Sequence, residues 1–141
     1  MEVFIGANVF LYAMGGEHEL RAPCVAVLRL IEKGELDAVT SAEVIQEVLH
    51  VVSRRRGTGA ATQAGTAVMA LMPQVLPVGA PEMTKTIERL QRHPHAPIRD
   101  LVHAATAICA GISQIASADA DFDVIVGISR VDPAVLAKSG G

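Results

Sequence analysis

Apolar runs of only about four residues recur along the chain, each set apart from the next by longer stretches patterned as helix. Strands this short, alternating with helices, pair in parallel and are covered on both faces. That predicts a three-layer α/β/α domain around a short parallel central sheet. Strands are expected at residues 2–5, 37–40, 75–78, 114–117 and 128–132, and helices at 8–13, 17–33, 41–56, 60–72, 81–92 and 97–111. Gly34 and Gly57 stand where helices should stop, the pair His93-Pro94 ends another, and Pro97 suits a first helical position. No repeat or linker interrupts the pattern, so the 141 residues read as one domain, with 138–141 expected to fray. In such sheets ligands bind beyond the carboxyl ends of the strands. The residues after the first, second and fourth strands are therefore where chemistry is expected.

Composition narrows the classes. Half of the residues are hydrophobic and 19% are charged, which excludes global disorder. The aromatics are Phe4, Phe10, Tyr12 and Phe122, with no Trp, so the core must be aliphatic. A net charge of −3 gives no global attraction for nucleic acid, and any such binding must use a local patch. No apolar run approaches the ~20 residues of a membrane span. The opening MEVFIGANVFLYA lacks the basic segment of a secretory signal, and two cysteines make no disulfide framework. A cytoplasmic protein with free thiols is expected.

The acidic residues carry the functional signal. At 100° per residue, Glu43, Glu47, His50 and Arg54 fall within about 60° of one another on a helix whose other side is Val44, Ile45, Val48, Val51 and Val52. Thr40 and Glu43 have capping-box spacing, which explains Glu43, whereas Glu47 lies too far into the helix to cap. Asp100 stands in a first helical turn, where the dipole favours it, but the helix that follows is nearly all small or apolar. A charge at the mouth of a buried helix needs water or a cation. His103, one turn on, is placed to hydrogen-bond Asp100. Asp119, Asp121 and Asp123 follow the fourth strand. They do not make a calcium loop, because the positions needing Gly and Glu hold Val124 and Arg130. His93 and His95 lack further ligands at zinc spacing.

Four blocks in order, VFIGANVFLYA, AVTSAEVIQEVLHVVSRR, RDLVHAATA and IASADADFDVIVGISRVDP, resemble the PIN-domain ribonuclease toxins of VapC type over most of the chain. The resemblance implies a PIN-like fold and an acidic site for Mg²⁺ or Mn²⁺, built from Glu47, Asp100 and Asp119, with Asp121 as an accessory. Asn8 matches the polar residue that holds the first loop, and Ser117 matches the Ser or Thr just before the last acid. The family's first Asp should stand at Gly6: the usual Asp-x-Asn is here Gly6-Ala7-Asn8. Gly6 marks either a naturally degenerate copy or an exchange made or selected to silence a toxic nuclease, and the presence of the other three acids and Asn8 favours the second.

The resemblance further implies hydrolysis of RNA phosphodiester bonds, leaving 5′-phosphates and 3′-hydroxyls, by an enzyme inactivated or weakened by Gly6. The alternative is a non-catalytic protein of the same fold that binds RNA or an antitoxin. A VapB-type antitoxin partner and a homodimer are implied as well. The exposed half of helix 17–33 together with helix 60–72 is the expected docking surface for that partner. Arg54, Arg55 and Arg99 are candidate RNA contacts, with Arg56 and Arg92 as further basic positions. The scarcity of aromatics favours contacts to backbone and shape over base stacking.

Overall fold

The computed structural model describes residues 2–139 and has five short strands: β1 (Val3–Ile5), β2 (Ala38–Ser41), β3 (Val75–Leu76), β4 (Gln114–Ala116) and β5 (Ser129–Val131). They form one parallel sheet in the order β3-β2-β1-β4-β5. Every residue of β1 and β2 is buried, as continuous apolar strands inside a covered sheet require. The helices are α1 (Ala7–Met14), α2 (Arg21–Glu32), α3 (Ala42–Leu71), α4 (Ala80–Arg92), α5 (Ile98–Cys109) and α6 (Pro133–Ala137). A 3₁₀ turn spans Ala120–Val124. Helix α1 packs on α2 and α3, α2 on α6, and α4 on α5.

The chain leaves β1 toward β2 and β3, then returns to the opposite side of β1 to make β4 and β5. Right-handed crossovers put the connections of these two halves on opposite faces of the sheet. The direction reverses between β1 and β4, so a crevice opens beyond their carboxyl ends. The register Phe4–Ile115 and Ile5–Ala116 sets Gly6 and Ser117 side by side at its floor. Beneath lies the aliphatic core, in which Phe4, Ile5, Val9, Phe10, Val27, Val39, Val44, Val48, Leu101 and Ile115 have essentially no exposed surface.

Several local readings change. The expected helices 41–56 and 60–72 join at Gly57, which turns the chain with φ 89° and ψ 174° instead of ending one helix before a loop. The two arms meet: a Cβ at Gly65 would stand 2.6 Å from Leu49 Cδ2. Side chains other than hydrogen are strained at the Gly57 angles. Gly57→Ala is therefore expected to cost about 1–3 kcal/mol, read as a lower urea midpoint at unchanged slope. The α3 cap is Ser41, whose Oγ accepts from Val44 N at 3.2 Å, because the Thr40 hydroxyl donates to Ile5 O at 2.9 Å. Helix α2 begins only at Arg21, and Pro97 is the residue before α5. Helix α6 lies beyond the expected elements, with Asp132 capping it and Pro133 opening it. Of the tail expected to fray, Lys138 and Ser139 bond back to Val135 O and Leu136 O, and Gly140 and Gly141 lie outside the described residues.

Candidate metal centre

The crevice is built by three separate parts of the chain. Gly6 ends β1 and precedes α1, with its N–H donating to Ala116 O at 3.0 Å. Asn8, in the first turn of α1, clamps the end of β4. Its Nδ2 donates to Ser117 Oγ at 3.0 Å and its Oδ1 accepts from Ala118 N at 3.3 Å. Ser117 Oγ in turn accepts from Asp119 N at 3.0 Å, and Asp119 Oδ1 accepts from Asp121 N at 2.9 Å. The clamp sets the turn that carries Asp119 and Asp121. Losing it leaves Ala118 N without its acceptor, so Asn8→Ala is expected to cost about 1–3 kcal/mol in a thermal or urea melt.

Arg130 fastens the same turn from β5. Its Nε and Nη2 hold both oxygens of Asp123 at 2.8 and 3.2 Å, and Nη1 donates to Ser117 O at 3.2 Å. The residue that argues against a calcium loop is thus the brace of the acidic turn. Sequence spacing gave no sign of this, because the pairing depends on β5 lying beside β4.

Helix α5 delivers Asp100 from its first turn. One carboxylate oxygen from each of Asp100, Asp119 and Asp121 lies within 4.8 Å of the others. Asp100 is half-buried and its pKa is pushed up to about 7. Burial is the largest cause. The charge of Asp119 comes next, together with a hydrogen bond between the two carboxyls, then the charges of Asp121 and Glu47. Three hard oxygen donors that repel one another in a partly dry crevice are the donor set a Mg²⁺ or Mn²⁺ ion suits. The residues present therefore fit a divalent cation.

Glu47 stands beside this trio rather than within it. It projects from the second turn of α3, and its Oε1 is 2.9 Å from His103 Nε2 and 3.9 Å from Arg99 Nε. His103 does not bond Asp100, its neighbour on the same helix, but reaches across to α3 instead. The side chain of Glu47 is 18% exposed and its charge is felt at Asp100, so it borders the crevice without joining the close cluster. The basic candidates divide. Arg99 lies at the rim, whereas Arg54, Arg55 and Arg56 are exposed at the far end of the first α3 arm. Arg55 and Arg56 border a small hollow with Leu11 and Gly15 instead of facing the carboxylates. Arg92 is exposed in the last turn of α4. His93 is used locally, its Nε2 accepting from Val126 N at 3.2 Å.

The PIN domain family matches residues 3–128. The chain belongs to the PIN-domain family. Among its relatives, Ribonuclease VapC7 of Mycobacterium tuberculosis is 33% identical over 135 residues, covering 93% of this chain and 91% of the relative. The PIN fold is also that of VapC20 of Mycobacterium tuberculosis, described as a sarcin-ricin loop cleaving toxin. The TM-score is 0.71 at 21% identity, over 89% of this chain and 98% of that one. VapBC2 of Rickettsia felis, solved bound to a DNA fragment from their promoter, superposes with a TM-score of 0.73 at 17% identity, over 93% and 98%. This PIN domain is thus of the VapC type, and the parallel sheet with its flanking helices is the architecture those structures share.

Proposed function

We propose that this chain is a Mg²⁺- or Mn²⁺-dependent endoribonuclease, the toxin of a toxin–antitoxin pair, weakened by Gly6. The observation that carries the reading is the convergence of Asp100, Asp119 and Asp121 within 4.8 Å, with Asp100 driven up to about 7. Asp100 and Asp119 would hold the ion, with Glu47 and Asp121 as further candidates, and Gly6 leaves the remaining position without a carboxylate. When bound, a divalent ion supplies Lewis acidity toward a phosphate oxygen and a water acidified toward neutral pH. The chain supplies the rest. Asp100 must release its proton before it can act as a ligand. Asn8, Ser117 and Arg130 hold the Asp119 turn in place. Arg99, Arg54 and Arg55 face solvent and offer charge to an RNA backbone. The products are a 5′-phosphate and a 3′-hydroxyl.

The partner is a VapB-type antitoxin. A groove of about 610 Å³ between α1, α2 and the second arm of α3, lined by Ala13, Met14, Leu28, Ile31 and Leu71, supports its docking there. A homodimer is the proposed assembly, read by light scattering. Among the described residues no helix is long and apolar enough to cross a membrane.

Calorimetric titration with Mn²⁺, alongside cleavage of end-labelled RNA with and without EDTA, tests the enzyme reading. Weak Mn²⁺ uptake and slow, EDTA-sensitive cleavage are expected. No uptake and no cleavage, in this chain and in Gly6→Asp alike, would sink it. The missing carboxylate at Gly6 is what favours the second reading, a non-catalytic protein that holds RNA or antitoxin in the same crevice. That reading predicts RNA or antitoxin binding that is indifferent to Mn²⁺.

A further inference from the structure

Helix α5 contributes two polar groups one turn apart, Asp100 and His103, and only the first is a carboxylate. His103 is 2% exposed and sits against Phe4, with ring centroids 6.3 Å apart and the planes tilted by 40°. A histidine buried this deeply normally satisfies both ring nitrogens. Here Nε2 meets Glu47 Oε1 at 2.9 Å while Nδ1 is buried with no hydrogen-bond partner among the described residues. Among the described residues Glu47 is therefore the group that selects the tautomer.

A proton on Nε2 makes the 2.9 Å contact a charge-assisted hydrogen bond to the carboxylate. A proton on Nδ1 would instead set two lone pairs against each other at that distance and leave a buried N–H unsatisfied. Both described contacts of the Glu47 carboxylate, to His103 and to Arg99, fall on Oε1, and Oε2 has no hydrogen-bond partner among the described residues. The imidazole is fixed by its packing and thereby fixes the carboxylate.

We propose that His103 is a positioning residue: its Nε2–H pins Glu47 Oε1 and leaves Oε2 uncommitted for a divalent cation in the crevice. Helix α5 thus supplies one carboxylate directly, Asp100, and aims a second across from α3. The proposal rests on the divalent-cation reading above.

The test joins a spectroscopic arm to a binding arm, both on the full chain. In ¹⁵N-histidine-labelled protein without metal, two-bond ¹H–¹⁵N correlations should place the His103 proton on Nε2. A proton on Nδ1 overturns the proposal. In calorimetric Mn²⁺ titrations, His103→Phe keeps the ring but removes the donor, and should weaken binding about 10–100-fold. His103→Gln places an amide N–H near the Nε2 position and should recover affinity to within about threefold of the parent. A His103→Phe variant that folds and binds Mn²⁺ as tightly as the parent also overturns the proposal. Should neither the parent nor Gly6→Asp take up Mn²⁺, the cation reading itself fails. The spectroscopic arm still decides whether His103 donates to Glu47.

Discussion

Gly6→Asp is expected to raise Mn²⁺-dependent RNA cleavage by about 10²–10³-fold, the usual size of one well-placed electrostatic group. The backbone accepts the change: Gly6 has φ −76° and ψ 162°, extended angles open to any residue. Space is the harder condition. A Cβ there would stand 3.0 Å from Ala116 O and 3.7 Å from Ser117 Cβ. The first contact is tight and involves the carbonyl that accepts from Gly6 N, so β1 and β4 must yield by a few tenths of an ångström. Without metal, a further carboxylate also adds repulsion to Asp100, Asp119 and Asp121. The variant should therefore melt lower than the parent in EDTA and higher in excess Mn²⁺. At a hundredfold excess over the dissociation constant, bound ion is worth about 2.7 kcal/mol. Cleavage that stays flat in a folded variant that binds Mn²⁺ would show that position 6 is not what limits the reaction.

Asp100→Asn, made in the Gly6→Asp chain, is expected to remove about 10²–10³-fold of the cleavage rate while stabilising the metal-free protein. The two effects have opposite signs because Asp100 is placed for a cation and pays in its absence. Its folded pKa of about 7 lies far above that of an exposed aspartate, near 3.9. Between these values the folded state binds more protons than the unfolded one, so stability falls as pH rises from about 4 to about 7 and then levels off. The Asn variant should lose that slope. Mn²⁺ affinity should run the other way, strengthening up to about pH 7 as the competing proton leaves. Urea midpoints at pH 5 and pH 8, with EDTA and with Mn²⁺, measure both trends. A parent whose metal-free stability is unchanged between those two pH values would contradict the assignment.

The sequence made the sheet legible because four-residue apolar runs between helical stretches leave few alternatives. The candidate acids were legible by position: Asp119 just past a strand, Asp100 at a helix mouth, Glu47 with no local duty. What remained hidden depends on contacts between distant elements. His103 is three residues from Asp100 but bonds Glu47, 56 residues away. Arg130 looks like a misfit in a loop motif until β5 lies beside β4. The α3 cap falls on Ser41, one residue later, because the Thr40 hydroxyl is already used across the sheet on Ile5 O. Gly57 was legible as a break, but not the angles that fold two arms together and bring Leu49 over Gly65.

The strand order has a consequence for synthesis. The central strand, residues 3–5, is made more than a hundred residues before its β4 neighbour, residues 114–116. Pairings between such remote segments close late, since a large loop must be immobilised before any contact rewards it. Asp119 and Asp121 arrive later still. A growing polypeptide therefore has no assembled acidic trio until Asp121 has emerged.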